Sequence, residues 1–271
     1  MPRGICKLCL YDKELQDSHL IPKGVFKSLR IDGKESISVT AERILKISPQ
    51  FKAFLLCRDC EERLNIGGET WVLKHMARQI PKHQFLLFDM LTDAAVCRSD
   101  EDGRTYAAAQ VPEIDTGRLA YFALSMLWRI AIHDWKGVDG YIRRLDLGPY
   151  EDPIRRFLVG EGPFPARCFT RVLVWPNKTS VLYATYLIRR NLERQFRLFS
   201  FYIPGITFCL YVGKGVPAEL RESCCYSSAR KPILASNEAA RNAVLLLERL
   251  DAWEHPGKSH GTVHIPSFPE L

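Results

Sequence analysis

The sequence contains no uninterrupted apolar run of about eighteen residues, so a membrane-spanning helix is not expected. Its first ten residues, MPRGICKLCL, lack both a sustained apolar stretch and a small-residue cleavage site. No secretory leader is therefore expected, and the cytoplasm is the expected compartment. No internal repeat is evident. The second half carries no phosphate-cradling glycine loop, no nucleophile elbow and no kinase signature. Charge of one sign is in small excess only. Thirty-eight Lys plus Arg against 31 Asp plus Glu leave +7, which is compatible with a polyanionic partner but does not demonstrate one. Apolar residues are plentiful. At 46% hydrophobic and 25% charged, the composition excludes a disordered chain. The 271 residues suffice for about two domains and a core that needs no disulfide staples.

Nine cysteines, an odd number in a chain with no expected leader, argue against a disulfide framework. Four of them form two equally spaced pairs, Cys6-Lys7-Leu8-Cys9 and Cys57-Arg58-Asp59-Cys60. Two intervening residues let the backbone turn a tight knuckle, so that both thiolates converge on one ion. Two such knuckles make a closed four-cysteine site of the kind structural zinc prefers. A single Cys-x-x-Cys would also suit redox chemistry, whereas a matched pair favours metal. Residues 10–56 lie between the knuckles, so an inserted element is carried there. Cys97, Cys168, Cys209, Cys224 and Cys225 stand outside any ligand spacing and read as small buried thiols.

Within the insertion, Leu15 to Lys23 places His19 at the edge of a short apolar run that Pro22 closes, which predicts a strand and then a turn at Pro22-Lys23. A second apolar run, Phe51 to Leu56, leads into the second knuckle. Asp59 to Leu64 then predicts a short helix with acidic residues near its positive end. Gly67-Gly68 is expected to stop that helix, and a longer one to begin near Glu69-Thr70-Trp71.

The order of knuckle, histidine-bearing strand, apolar run, second knuckle and helix resembles the HNH (His-Me finger, ββα-metal) endonuclease family. The resemblance is carried by Cys6, Cys9, the segment Asp17-Ser18-His19-Leu20-Ile21-Pro22, and the segment Leu55 to Glu61. It covers about the first quarter of the chain. It implies a zinc-braced ββα-metal module that hydrolyses phosphodiester bonds in DNA, with RNA left open. It also implies that His19 is the general base and that Cys6, Cys9, Cys57 and Cys60 hold a structural Zn2+. A catalytic Mg2+ or Mn2+ would stabilise the leaving group. Histidine suits the role because its ordinary pKa lies near neutrality.

The chain departs from that family at three positions. The acidic ligand usually found just before the histidine is Ser18 here, with Asp17 one residue earlier. On an extended strand this shift turns the carboxylate to the opposite face unless a bulge corrects it. Lys52 stands at the place of the middle asparagine, and Glu61 at the place of the last histidine. A glutamate suits magnesium, and a lysine suits a phosphate. The resemblance thus points to His19, Glu61 and Asp17 as catalytic residues and to Lys23, Lys27 and Lys52 as nucleic-acid contacts, with Arg30 a further candidate. Glu69 and His75 are within reach of the same site in sequence but read as structural. The departures keep open a second expectation, a non-catalytic zinc-ribbon module that binds nucleic acid or protein.

The fold class expected overall is α+β: the ββα-metal module over residues 1–97, a linker or long loop at 98–117, and an α+β domain at 118–254. A tail would follow at 255–271. Leu119, Phe122, Met126 and Ile130 recur at helical spacing between Thr116 and Trp135, and His133 reads as packed there. Strands are expected at 171–175, 181–188, 196–203, 206–212 and near Ile233. Pro204-Gly205 would form the turn of a hairpin, and an amphipathic helix is expected from Asn237 to about Trp253. This gives an antiparallel sheet against at least two helices. The arginines 189, 190, 194 and 197 read as a solvated helix face or a nucleic-acid groove. His255, His260 and His264 read as tail residues. Self-association of the chain is left open.

Overall fold

The protein is described by a computed structural model that places residues 1–29, 51–78, 84–101, 103–136, 144–176, 196–226 and 228–236. It places the backbone alone at 38–39, 44–45, 142–143 and 188–191. The expected strand at 181–187, the helix at 237–253, the tail, Arg30 and Arg194 lie outside the described residues. No helix among the described residues is long and apolar enough to cross a membrane.

The chain opens with β1 (Arg3–Ile5), the first knuckle, β2 (Asp12–His19) and α1 (Lys23–Ser28). The two-residue strands β3 (Ser38–Val39) and β4 (Ile44–Leu45) pair with each other. Next come β5 (Lys52–Cys57) and α2 (Arg58–Leu64). The strands β1, β2 and β5 form an antiparallel sheet in that order. Instead of the expected turn at Pro22-Lys23, the chain enters α1, because Pro22 brings a φ of −51° suited to a helix start and Val25 and Phe26 are buried.

The ladder between β2 and β5 slips once: Gln16 faces Leu56 whereas Asp17 faces Phe54, leaving Leu55 as the extra residue. The Leu55 carbonyl accepts instead from the N–H of Lys7 at 2.9 Å, tying the bulge to the first knuckle. Ser18 turns inward, and its Oγ accepts from the Leu56 N–H at 3.2 Å. The position that carries an acid in the resembled family here repairs the backbone around a bulge.

Helical backbone runs on from α2 through a π turn at Asn65–Glu69 into α3 (Thr70–His75). Gly67-Gly68, expected to end the helix, lie inside it. Their role is tertiary. A Cβ on Gly68 would sit 2.9 Å from the backbone oxygen of Arg118 and from the backbone nitrogen of Phe122, and one on Gly67 would collide with the Tyr121 ring. The π turn therefore presses its bare backbone against a helix that starts at Thr116. Gly68→Ala is expected to lower stability by about 1–3 kcal/mol through overpacking, read as a lower midpoint in chemical denaturation with an unchanged slope.

The chain continues through α4 (Leu86–Leu91), β6 (Val96–Asp100), β7 (Gly103–Ala107) and α5 (Thr116–Ala131). Stretch 98–117, expected as loop, thus contains most of a hairpin and the cap of a helix, where the Asp115 carboxylate accepts from the Arg118 N–H at 2.9 Å. Beyond are β8 (Trp135–Lys136) and β9 (Ile142–Arg143), which pair, then α6 (Glu151–Val159) and β10 (Cys168–Val174). The last elements are β11 (Ile188–Asn191), β12 (Phe196–Ile203), β13 (Ile206–Gly213), α7 (Ala218–Glu222) and β14 (Pro232–Ser236). The predicted Pro204-Gly205 hairpin is present, with Gly205 at φ +79°.

Among the described residues the large sheet has the order β11-β12-β13-β10-β14-β7-β6. It is antiparallel except where β10 and β14 run parallel, so the architecture is α+β with a largely antiparallel sheet. Helix α5 lies across it, with Phe122 against Phe201 and Phe208. One continuous apolar core runs from Leu8 and Leu15 through Trp128 to Ile233, so 98–117 does not separate two cores.

Candidate metal centre and the adjoining histidine face

The knuckles are brought together by the sheet. Strand β2 leaves the first knuckle, β5 enters the second, and their register sets Leu15 opposite Cys57. The ligand sulfurs of Cys6, Cys9, Cys57 and Cys60 all lie within 4.8 Å of one another, and Cys9 Sγ to Cys57 Sγ measures 3.9 Å. Four thiolates around one tetrahedral ion with metal–sulfur bonds of about 2.3 Å stand about 3.8 Å apart. The donor set and its spacing therefore fit one metal ion. The backbone prepares the site: the Cys57 N–H donates to Cys6 Sγ at 3.3 Å, and Leu10 takes a φ of +64° so that its N–H closes the knuckle on the Cys6 carbonyl at 2.9 Å. A hydrogen bond from Cys60 and then the N–H groups around the first knuckle hold the Cys6 thiol down at about 4. The same sulfur contact, together with burial, pushes Cys60 up. That contact favours the Cys6 sulfur as the thiolate of the pair.

The second half of the chain braces this centre. Arg155 of α6 donates to the Leu8 carbonyl in the first knuckle at 2.9 Å. Arg129 of α5, 4% exposed, reaches between two acids of the α2–α3 rod. Its Nη2 hydrogen-bonds Glu69 and lies 3.9 Å from Glu61 Oε2. Glu61, expected as a metal ligand, is thereby committed to an ion cluster with Arg129.

His19, Asp17 and Lys52 come together on the outer face of the small sheet. Ser18 and Leu20 point into the core, so Asp17 and His19 point the other way. His19 stands directly opposite Lys52 in the ladder, and Lys52 Nζ reaches Asp17 Oδ2 diagonally at 3.1 Å. That contact requires all three side chains to share one face. Asp17 thus lies away from the face of the family's acidic ligand but beside the histidine. Its carboxylate is paired there with Lys52. Lys23 and Lys27 project into solvent, four residues apart, from α1, which begins just beyond this strand.

The remaining candidates fall elsewhere. His75 is buried, stacked on Trp71 at 4.0 Å with Nδ1 bonded to the Trp71 carbonyl at 2.7 Å, and burial lowers its pKa. His133 packs edge-on against Trp135 at 5.0 Å, and burial lowers its pKa as well. Arg189, Arg190 and Arg197 belong to strands β11 and β12, not to a helix, and Arg197 donates to the Asp146 carbonyl at 2.8 Å. Of the other cysteines, Cys168, Cys224 and Cys225 are buried as expected and Cys209 partly so, whereas Cys97 is exposed on β6.

Sequence reasoning missed Arg129, Arg155 and Ser18. A signal existed for Arg129 alone, a lone charge in the apolar run Ala123 to Ala131. No protein-family model, no curated protein and no solved structure matches the chain.

Proposed function

We propose that the chain is a metal-dependent endonuclease of the ββα-metal type, with zinc in its four-cysteine centre and His19 as general base. The observation that supports this most directly is the grouping of His19, Asp17 and Lys52 on one solvent-facing surface of the antiparallel β2–β5 pair, whose two strands adjoin the same four-cysteine centre. Zinc is the ion that such a closed, largely buried set of four cysteines takes by preference. It would act structurally, holding β2 and β5 in register and so fixing His19 relative to Lys52. His19 would take a proton from the attacking water. The Lys52 ammonium would carry charge to a phosphate oxygen. A magnesium or manganese ion held at Asp17 would supply charge neutralisation at the leaving oxygen. DNA is the proposed substrate, with RNA the variant to compare.

A second reading is favoured by two contacts. Glu61 is engaged with Arg129 and Asp17 with Lys52, which leaves the acids of the resembled active site occupied within the protein. On that reading the same scaffold binds nucleic acid or a protein without cutting. Nicking of supercoiled plasmid in magnesium or manganese separates the two. The wild type is expected to nick, and His19→Ala to lose about 100-fold or more, the range for a lost general base. Undiminished nicking by His19→Ala overturns its assignment, and no cleavage of plasmid or of single-stranded DNA with any divalent ion selects the binding module.

A further inference from the structure

We propose that Phe54 is a base-stacking platform that directs the histidine face toward single-stranded nucleic acid. Strand β5 turns Phe54 outward, 50% exposed, directly opposite Asp17 and next along that face from the His19–Lys52 pair. A benzyl side chain so placed leaves a large part of its apolar surface in water, and its ring has no aromatic partner among the described residues. Its neighbours on that face, Asp17, His19 and Lys52, are ionic or polar. The surroundings match a strand of nucleic acid in chemistry. Lys52 lies on the same face, and Lys23 and Lys27 line the exposed side of the helix that follows β2, supplying cations for successive phosphates.

An exposed ring next to cations recognises a base that is free to leave its stack. A duplex keeps its bases inside and offers this face only its backbone, whereas an unpaired base can lie on the ring. Diagonal neighbours on a sheet face stand about 7–8 Å apart, which puts a base on Phe54 within one sugar of a phosphate near His19. The inference deepens the nuclease reading and rests on it, because it takes the same face as the substrate surface and assigns that substrate as single-stranded.

The test measures fluorescence anisotropy of the full chain with a labelled oligothymidylate and with a hairpin duplex of equal length, without added magnesium or manganese. Wild type is expected to hold the oligothymidylate more tightly than the duplex. Phe54→Leu, which keeps apolar bulk but loses the flat ring, is expected to weaken single-strand binding by about 5- to 100-fold, as for one lost base–aromatic stack. Duplex binding should be unchanged, and Phe54→Trp should keep the preference or strengthen it. Unchanged single-strand binding in Phe54→Leu, or an equal loss on both ligands, overturns the inference while leaving His19-dependent plasmid nicking to stand. A ring-dependent preference for the single strand in a protein that cuts neither plasmid nor single-stranded DNA in magnesium or manganese overturns the nuclease reading and keeps the platform.

Discussion

Stripping the metal is expected to loosen the β1–β2–β5 sheet and α2 while the large sheet persists. The β1–β2–β5 sheet is small, six of the eight residues of β2 are at least partly exposed with Leu15 and Ser18 the buried pair, and its two long strands meet across a bulge. The four-sulfur centre stands at one end of that pair, where Leu15 lies opposite Cys57, so an ion there would clamp the two strands. Structural zinc in small modules contributes on the order of 10 kcal/mol to folding, more than a sheet of this size supplies alone. Cys57→Ser should therefore lower the metal content from about one ion per chain to none. Amides of β2, β5 and α2 should then exchange with solvent much faster, while those of β10, β12 and β13 stay protected. Thiolates must shed protons to bind, so chelation should become easier as pH falls. Full protection in β2 after the metal has been removed would mean that the cysteines hold the sheet as ordinary core residues.

How far this arrangement was legible in the sequence depends on how local each cause is. The four cysteine ligands were legible because each knuckle is a four-residue pattern whose geometry follows from its spacing. The β12–β13 hairpin was legible for the same reason, since Pro204 and Gly205 dictate their own turn. The π turn was not. Gly67 and Gly68 predict a helix end by propensity, but their missing Cβ atoms serve a close approach to Arg118, Tyr121 and Phe122, residues that no local pattern connects to them. The β6–β7 hairpin escaped because every residue of β6 is exposed, so the strand carries no alternation of polar and apolar positions. Helix α1 escaped because six residues hold too little periodicity to read.

The site divides along the same line. His19 and Asp17 share a face for a reason visible in the sequence, the two-residue period of a strand. That Lys52 joins them required the register across β5, which is displaced by a bulge at Leu55 that nothing in the sequence announces. Glu61 was legible only as an acid after a knuckle. Its partner lies on α5, so an assignment by sequence position alone could not separate a magnesium ligand from half of an ion pair.

Removing the charge of Arg129 is expected to lower stability strongly. Arg129 is 4% exposed, and it is the cation that faces Glu69, itself 12% exposed, and Glu61. The Arg129 Nε and Glu61 Oε1 are buried without a hydrogen-bond partner among the described residues, so the cluster is already short of compensation. Arg129→Met fills much of the same volume but strands the mostly buried Glu69 carboxylate and takes the cation from Glu61, which is 30% exposed; a buried pair that loses one member costs about 3–5 kcal/mol. The expected loss in melting temperature is about 6–20 °C for a chain of this size. Replacing all three charges, as in Glu61→Gln with Glu69→Gln and Arg129→Met, should recover much of that loss, because the penalty comes from uncompensated charge and not from lost packing. If the triple variant melts as low as Arg129→Met alone, then shape and packing of the arginine, not its charge, hold α5 against the π turn. If instead the triple variant recovers stability but fails to nick plasmid where the wild type and Glu69→Gln both succeed, and Glu61→Gln alone also fails, Glu61 carries a role in the chemistry beyond its ion pair.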